Sequence, residues 1–247
     1  MGTDCGNSVD LFSEELWSVS SMNTKHPIPD GLSSRDTPVT LIGASTVKPQ
    51  DIVEALTVAP YLVAADGGAA TALQHGHTPK LVIGDFDSLP HFATEVLTSD
   101  QLLQVPEQDS TDFEKCLARI EAPVILALGF AGLRLDHELA VYNTLVRYPA
   151  KRCLVVGEHD VVFHAPPRLH LDLEIGQRLS LFPLGAVSGT SKGLKWPIVG
   201  LAFAPDGRVG TSNTVTGPVD LSFDADGMLV ILPRVALGAA LKALTPN

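Results

Sequence analysis

Short apolar segments alternate with helix-like segments from residue 37 to residue 128, and this alternation constrains the fold more than any other feature of the chain. Strands that alternate with helices are joined by crossover connections, which place the strands parallel to one another in one sheet. The pattern therefore predicts a mostly parallel α/β domain. Its predicted strands are residues 39–42, 61–65, 81–83, 102–105 and 124–128, and its predicted helices are residues 51–56, 69–75, 91–97 and 112–120.

After about residue 150 the helical spacing fades, and short apolar runs are separated by Gly, Pro and Asp turns. This pattern is typical of antiparallel β structure. The predicted strands are residues 154–163, 169–175, 178–184, 198–203, 219–223 and 228–232, and residues 235–244 have the length of a short terminal helix. We therefore predict an α/β domain over residues 37–165 and a β domain over residues 166–247.

Residues 1–36 are polar, rich in Ser and interrupted by Pro, and we interpret them as a disordered leader or an added segment. They lack the apolar stretch of a secretory signal and the basic residues of a transit peptide. The longest apolar runs of the chain have strand length, so we expect no membrane-spanning helix. The three cysteines are too far apart for a disulfide framework or a paired metal motif, and we predict a cytoplasmic protein.

The chain is acidic, with 28 Asp and Glu residues, 17 Lys and Arg residues and a formal net charge of −11. Binding of nucleic acid needs clustered basic residues, so we expect no nucleic-acid partner. If the ligand is a polyphosphate, a metal ion must neutralise much of its charge.

Polar or glycine-rich residues follow four predicted strands directly, at positions 43–45, 66–68, 85–87 and 129–132. In parallel α/β sheets, ligands bind outside the carboxyl ends of the strands. The four groups therefore predict one ligand cleft at this edge of the sheet. The chain contains neither the P-loop sequence nor the dinucleotide-binding glycine pattern, which excludes both of those site classes.

Asp85 and Asp87 flank one residue at the end of the apolar run Leu81-Val82-Ile83. Mg²⁺ prefers oxygen ligands and commonly takes one or two carboxylates together with substrate phosphates and water. This pair of carboxylates can supply such a site. The alternative is an Asx turn that only ends the strand.

Thr111 and Glu114 have the spacing of a capping box, which predicts a helix that begins there with Asp112 in its first turn. Asp112 either interacts only with the positive end of the helix dipole or projects into the cleft as a metal ligand or base. Lys115 lies one turn into the helix, where its ammonium group can reach a phosphate.

Two further segments have the composition of phosphate-binding groups. The segment Asp66-Gly67-Gly68 lets backbone N–H groups approach an anion closely, although the same residues also form ordinary turns. Arg134 can bind phosphate oxygens through two hydrogen bonds, and Asp136 can orient Arg134 or His137. The alternative for residues 134–137 is a helix start with solvated charges, and we interpret His137 as structural.

In the β domain, Trp196 follows a loop rich in Gly and Ser and can present its ring to an aromatic or cationic group. The alternative places Trp196 in the core. The segment Thr211-Ser212-Asn213 supplies small hydrogen-bonding groups, but its residue types favour a hairpin turn.

Six segments, taken in order, resemble the motifs of the thiamine pyrophosphokinase family. They are ADGGA at 65–69, GDFDS at 84–88, DSTDFEK at 109–115, RLDH at 134–137, GLKW at 193–196 and SN at 212–213. The resemblance covers roughly residues 39–232. It implies a Rossmann-like, mostly parallel α/β/α catalytic domain followed by an antiparallel β-sandwich-like domain that binds thiamine.

The resemblance also implies a reaction, in which pyrophosphate passes from ATP to the hydroxyethyl group of thiamine and gives thiamine diphosphate and AMP, with Mg²⁺ as the metal. It implies a homodimer with active sites between the subunits. The implied metal and catalytic residues are Asp85, Asp87 and Asp112. The implied ATP and phosphate residues are Asp66, Gly67, Gly68, Lys115, Arg134 and Asp136, and the implied thiamine residues are Trp196, Ser212 and Asn213.

The chain departs from the family pattern at Ala70, where Asn is frequent, and at Leu133, where a second glycine is frequent. We expect altered affinity from these departures and no loss of activity. Two other functions stay open. The acidic cleft would also suit another Mg²⁺-dependent phosphotransferase or nucleotidyltransferase that acts on a small alcohol, and a non-catalytic sensor would bind thiamine or its diphosphate.

Overall fold

A sheet system of thirteen strands runs through the part of the chain that the computed structural model describes, which is residues 36–132 and 134–245. The strands are β1 (Val39–Ile42), β2 (Tyr61–Ala65), β3 (Leu81–Gly84), β4 (Leu102–Gln104), β5 (Ile125–Leu128), β6 (Cys153–Val156), β7 (Asp160–His164), β8 (Arg168–Leu171), β9 (Arg178–Pro183), β10 (Val187–Leu194), β11 (Ala202–Phe203), β12 (Gly210–Phe223) and β13 (Met228–Pro233). The helices are α1 (Pro49–Val58), α2 (Gly68–Gln74), α3 (His91–Val96), α4 (Asp112–Arg119), α5 (Leu135–Arg147) and α6 (Leu237–Leu244). Residues 1–35 of the predicted leader and Leu133 lie outside the described residues.

Six strands form a parallel region in the order β4-β3-β2-β1-β5-β6, which confirms the predicted mostly parallel sheet. Successive strand residues point to opposite faces, so Ile42 packs with α1 and α2 while Leu41 packs with α4 and α5. Both faces of β1, β2, β3, β5 and β6 are therefore buried, whereas the edge strand β4 is partly exposed. Burial on both faces explains why these five strands are nearly continuous apolar runs.

The later strands are antiparallel, as predicted for the second half of the chain. β7 and β13 extend the parallel region, and β9 and β12 follow them. β12 is long enough to pair with β9 near its start and with β8 and β10 near its end. The division into two domains at residues 165 and 166 stays a prediction. Within the described residues, no helix combines the length and the apolar character that crossing a bilayer requires.

Several element predictions were wrong in detail. The run 154–163 is two strands, because the chain reverses between β6 and β7. The residues 198–203 contribute only the short strand β11. β10 was not predicted because its residues are mostly polar and small, and pairing with β12 decides its conformation instead. For residues 134–137, the predicted alternative of a helix start is close to the structure, since α5 begins at Leu135.

Candidate active site

The loops after β1, β2, β3 and β5 meet the start of α4 around a cleft of about 380 Å³, here called the acidic cleft. Parallel strands end at the same edge of the sheet, which brings residues 43–45, 67, 85, 87–88 and 129–130 together. The convergence that the sequence predicts at this edge is confirmed.

Three carboxylates converge in this region. Asp66, Asp85 and Asp87 each offer one oxygen atom, and these atoms lie within 4.8 Å of one another. In the turn between Asp85 and Asp87, Phe86 adopts the left-handed backbone conformation with φ at +70°. That conformation costs a bulky residue about 1–2 kcal/mol, and the Asp87 N–H donates to Asp85 Oδ1 at 3.2 Å across the turn.

Asp66 is almost completely buried, with 1% of its surface exposed. The Ser88 N–H donates to Oδ2 at 3.2 Å, whereas Oδ1 has no hydrogen-bond partner among the described residues. Burial, together with the negative charge of Asp112, raises the pKa of Asp66 to about 6. A cation would satisfy the unpartnered oxygen. The all-oxygen donor set of the three carboxylates therefore fits Mg²⁺.

Asp85 has a contrasting environment, because it is paired with a buried cation. Lys115 Nζ lies 2.8 Å from Asp85 Oδ2, and Gln108 Nε2 donates to the same oxygen at 2.9 Å. The hydrogen bond from Lys115 is the main cause that lowers the pKa of Asp85 to about 2. Lys115 is only 2% exposed, so its ammonium group is a buried positive charge beside Asp85 and Asp112.

The start of α4 positions Asp112 next to Lys115. Thr111 Oγ1 accepts a hydrogen bond from the Glu114 N–H at 3.3 Å, which confirms the predicted helix start. The Asp112 side chain is 43% exposed and lines the cleft, with Oδ1 at 3.4 Å from Lys115 Nζ. Burial is the largest cause of the raised pKa of Asp112.

The second half of the predicted capping box is wrong. The Glu114 carboxylate accepts hydrogen bonds from Arg147 at 2.8 Å and from the Tyr148 hydroxyl at 3.2 Å. Glu114 is buried between α4 and α5, where an ion pair with Arg147 is available to its side chain. The carboxylate therefore joins two helices and does not cap its own.

Arg134 and Asp136 are placed at a different position from the carboxylates. They form an exposed ion pair with each other at 2.6 Å, and neither belongs to the lining of the acidic cleft. His137, which we interpreted as structural, is the residue of this segment that lines the cleft. The phosphate-binding roles of Arg134 and Asp136 stay predictions.

The predicted thiamine residues form a cluster of their own. Asn213 binds the Trp196 backbone twice, with Oδ1 accepting from the Trp196 N–H at 3.1 Å and Nδ2 donating to the Trp196 carbonyl at 2.6 Å. The Trp196 side chain is not in the core, since 53% of the residue is exposed, and Lys195 Nζ lies 4.7 Å from its ring centre. The hairpin-turn prediction for residues 211–213 is wrong, because these residues lie within β12, where a register shift places Ser212 at φ +60°.

This cluster lies far from the acidic cleft along the sheet. Trp196 follows β10 and Asp85 follows β3, and eight strands separate β10 from β3 in the strand order. Trp196, Ser212 and Asn213 are absent from the described lining of the acidic cleft.

Gln108 lines the cleft although it was not predicted to do so, whereas Ser45 and Phe130 belong to the groups 43–45 and 129–132 that were predicted at this edge without individual roles. Gln108 reaches Asp85 across 23 positions of the chain, and Phe130 packs edge-to-face on Phe113 with ring centres 4.8 Å apart. No local spacing marks such tertiary contacts. Ser45 and Phe130 had one signal in the sequence, their position directly after a predicted strand, and Gln108 had none.

Comparisons with known proteins identify the family. The model of the catalytic domain of thiamin pyrophosphokinase matches residues 53–156. The model of the vitamin B1 binding domain of thiamin pyrophosphokinase matches residues 167–228, and the two matches together cover more than half of the chain. The chain belongs to the thiamin pyrophosphokinase family. The resemblance that the six motifs indicate is confirmed.

Plant members of the family are among the similar proteins. Thiamine pyrophosphokinase 3 of Oryza sativa is 30% identical over 158 residues, which cover 56% of this chain and 59% of the relative. Thiamine pyrophosphokinase 1 of Arabidopsis thaliana is 28% identical over 165 residues, which cover 59% of this chain and 62% of the relative. The chain therefore matches less than two thirds of the length of these relatives.

Solved structures show the same fold. A thiamin pyrophosphokinase from Geobacillus thermodenitrificans superposes with a TM-score of 0.65 at 22% identity, over 80% of this chain and 97% of that chain. A protein from Lactobacillus plantarum superposes with a TM-score of 0.68 at 25% identity, over 80% of this chain and 99% of that chain. The predicted fold class, a mostly parallel α/β part followed by an antiparallel β part, is confirmed.

Proposed function

We propose that the protein is a thiamine pyrophosphokinase, which transfers pyrophosphate from ATP to thiamine and releases AMP and thiamine diphosphate. The observation that carries the proposal is the convergence of Asp66, Asp85 and Asp87 beside the buried Lys115. A buried carboxylate oxygen without a partner suits a hard cation, and a metal-bound polyphosphate suits an acidic cleft better than a free one. Family membership supports the same reaction.

Asp66, Asp85 and Asp87 would hold Mg²⁺, which would supply positive charge to neutralise the phosphate oxygens. The thiamine hydroxyl oxygen forms a bond to the β-phosphorus, and the bond from that phosphorus to the oxygen of AMP breaks. Lys115 supplies a fixed positive charge where negative charge develops. Asp112 accepts a hydrogen bond from the thiamine hydroxyl and takes its proton late in the transfer.

Asp112→Asn tests the proton-accepting role. An amide cannot accept the hydroxyl proton, so we expect turnover to fall by roughly 10²-fold or more, the scale of lost general-base catalysis. The Mg²⁺ affinity should change less, since Asp112 is outside the converging group of three. Steady-state kinetics with a Mg²⁺ titration measures both quantities, and near-normal turnover would remove Asp112 from this role.

We further propose a cytoplasmic homodimer in which the thiamine residues Trp196, Ser212 and Asn213 of one subunit serve the acidic cleft of the other. The separation of these residues from the cleft within one chain supports this arrangement. Arg134 and Asp136 would then bind the nucleotide phosphates after their mutual ion pair opens.

The experiment is to incubate the purified protein with Mg²⁺ and ATP, with and without thiamine, and to quantify AMP, ADP and thiamine diphosphate. We expect AMP and thiamine diphosphate in equal amounts, and only when thiamine is present. Formation of ADP would indicate another phosphotransferase. Thiamine binding with no nucleotide product would indicate a sensor.

A further inference from the structure

Two loops at the edge of the sheet form a wall, here called the loop wall, from residues 43–48 after β1 and residues 129–132 after β5. The Ser45 N–H donates to the Gly129 carbonyl oxygen at 3.0 Å. A Cβ atom at Gly43 would lie 2.4 Å from that same oxygen, and one at Gly129 would lie 2.8 Å from the Gly43 oxygen. The two backbones are therefore in direct contact, and glycine is needed on both sides.

The loop wall separates the acidic cleft from a second cavity of about 420 Å³, here called the rear cavity. Ser45 and Phe130 face the cleft, and Val47 and Gly132 line the rear cavity. Phe130 also contacts the ring of Phe113, which follows Asp112 in α4. The position of the loop wall therefore sets the shape of the cleft next to the carboxylates.

Glu138 in α5 contacts the loop wall on the side of the rear cavity. Glu138 Oε2 accepts a hydrogen bond from the Gly132 N–H at 3.0 Å, and Oε1 accepts one from the Tyr142 hydroxyl at 2.7 Å. Both Glu138 and Tyr142 line the rear cavity and are absent from the described lining of the acidic cleft. Glu138 therefore connects the loop wall to a helix without reaching the site where substrates would bind.

We propose that Glu138 is a positioning residue for the nucleotide, which acts by holding the loop wall in the conformation that receives ATP. This proposal rests on the proposed function. Gly129 and Gly132 have φ angles of +74° and +100°. Because glycine also adopts many other backbone conformations, residues 129–132 need contacts such as the bond to Glu138 to stay in this one. Without the Glu138 side chain, residues 129–132 must become ordered when ATP binds. The entropy cost of that ordering lowers the affinity for ATP.

Glu138→Ala removes both hydrogen bonds and tests the proposal. We expect the KM for Mg²⁺-ATP to rise about tenfold, the scale of a lost charge-assisted hydrogen bond, while kcat and the KM for thiamine change less than about twofold. Tyr142→Phe keeps the bond to Gly132 and should raise the KM for ATP only slightly. Hydrogen exchange at residues 129–132 should accelerate in Glu138→Ala.

Glu54→Ala is the matched control. Glu54 carries the same charge on the exposed surface of α1, where its carboxylate accepts a hydrogen bond from the Gln50 side chain at 3.1 Å, and it lines neither the acidic cleft nor the rear cavity. The control should leave all three kinetic constants unchanged. Glu138→Gln keeps the shape of the side chain, so it remains informative if Glu138→Ala fails to fold.

Titration of Mg²⁺-ATP by calorimetry in the absence of thiamine separates this inference from the proposed function. If wild-type protein and Glu138→Ala bind Mg²⁺-ATP with equal affinity, the positioning role is overturned and the proposed function is not. Wild-type protein that does not bind Mg²⁺-ATP would overturn both. If Glu138→Ala lowers kcat and thermal stability and raises both KM values to a similar extent, Glu138 has a merely structural role. That result would also overturn the proposal.

Discussion

At the scale of single residues, Asp66 and Asp85 show how two carboxylates of one cluster acquire opposite properties. Burial without a cationic partner raises the pKa of Asp66, whereas the hydrogen bond from Lys115 lowers the pKa of Asp85. The ionised form of Asp66 therefore destabilises the metal-free fold, and the ionised form of Asp85 stabilises it. Removing each charge should shift stability in opposite directions.

Asp66→Asn should stabilise the metal-free protein at neutral pH. A folded-state pKa of about 6, above the ordinary 3.8, means that the folded protein binds the proton more tightly than the unfolded chain does. The cost of ionising Asp66 is therefore full above pH 6 and disappears as the pH falls from about 6 to about 4. At pH 7 the gain should reach about 1–3 kcal/mol, and stabilisation by added Mg²⁺ should be lost.

Thermal unfolding in chelator at pH 5 and pH 7.5, repeated with Mg²⁺, measures this effect. Asp100→Asn, an exposed carboxylate outside the acidic cleft, is the charge-matched control and should behave as wild type. A metal-free Asp66→Asn protein that is less stable than wild type at pH 7.5 would contradict the assignment.

Asp85→Asn should have the opposite effect on stability. The substitution leaves the buried Lys115 ammonium with Asp112, at 3.4 Å, as its remaining carboxylate partner among the described residues, so we expect the free energy of unfolding in chelator to fall by about 2–4 kcal/mol. Mg²⁺ affinity should fall as well. Urea unfolding and Mg²⁺ titration check both results, and the more exposed Asp87→Asn should weaken Mg²⁺ binding with little change in metal-free stability.

At the scale of elements, the end of β3 lies directly against the start of the Asp66 turn. The Asp66 N–H donates to the Ile83 carbonyl at 2.9 Å, and a Cβ atom at Gly84 would lie 2.7 Å from Asp66 Cβ and 3.1 Å from Asp66 Cα. The absence of a side chain at Gly84 thus allows two neighbouring strands to present their carboxylates to one point.

Gly84→Ala should destabilise the fold by about 1–3 kcal/mol, because the added methyl group meets the Cα and Cβ atoms of the buried Asp66. It should also weaken Mg²⁺ binding by displacing Asp66. Gly238→Ala in α6 is the control, since nothing lies within 4 Å of its added Cβ, and it should stabilise by about 0.5–1 kcal/mol. Equal stability of the two variants would show that the backbone at Gly84 accommodates a side chain.

Prediction of the elements succeeded where local pattern and burial agree. The strands β1 and β2 match their predicted bounds because their residues, apart from the buried Thr40 and the partly buried Tyr61, are apolar and packed against helices. β10 and the start of β12 escaped prediction because their residues are polar and partly exposed, so only pairing across the sheet makes them strands.

At the scale of the whole molecule, the exposed Trp196 and the acidic cleft are parts of the proposed site that one described chain does not bring together. A symmetric dimer would pair the cleft of each subunit with the tryptophan loop of the other. A variant that is inactive in the acidic cleft and a variant that is inactive in the tryptophan loop would then restore activity when they form mixed dimers.

Mixing Trp196→Ala with Asp85→Asn after unfolding and refolding together should recover about a quarter of wild-type activity. Half of the dimers are then heterodimers, and each holds one intact site of two. Each variant alone should be nearly inactive, and light scattering should report a dimer. A mixture as inactive as its components would contradict a shared site.

The sequence by itself determined the succession of strands and helices along the first half of the chain, the parallel character of their sheet, the position of the ligand cleft at the strand ends and the family. These properties depend on patterns within a few neighbouring residues, such as apolar runs, glycine turns and motif spacing. Asp85 and Asp87 could be assigned to the cleft for the same reason, since they lie on one strand end.

Only the tertiary structure decided which charges meet. It joined Asp66 to Asp85 and Asp87, paired Lys115 with Asp85 across 30 positions and directed Glu114 to Arg147 across 33 positions. It also placed Arg134 and Asp136 on an exposed ion pair beside the cleft-lining His137. Such contacts depend on how packed strands and helices align in space, and the energy of a carboxylate depends on the burial and the partners that this alignment creates.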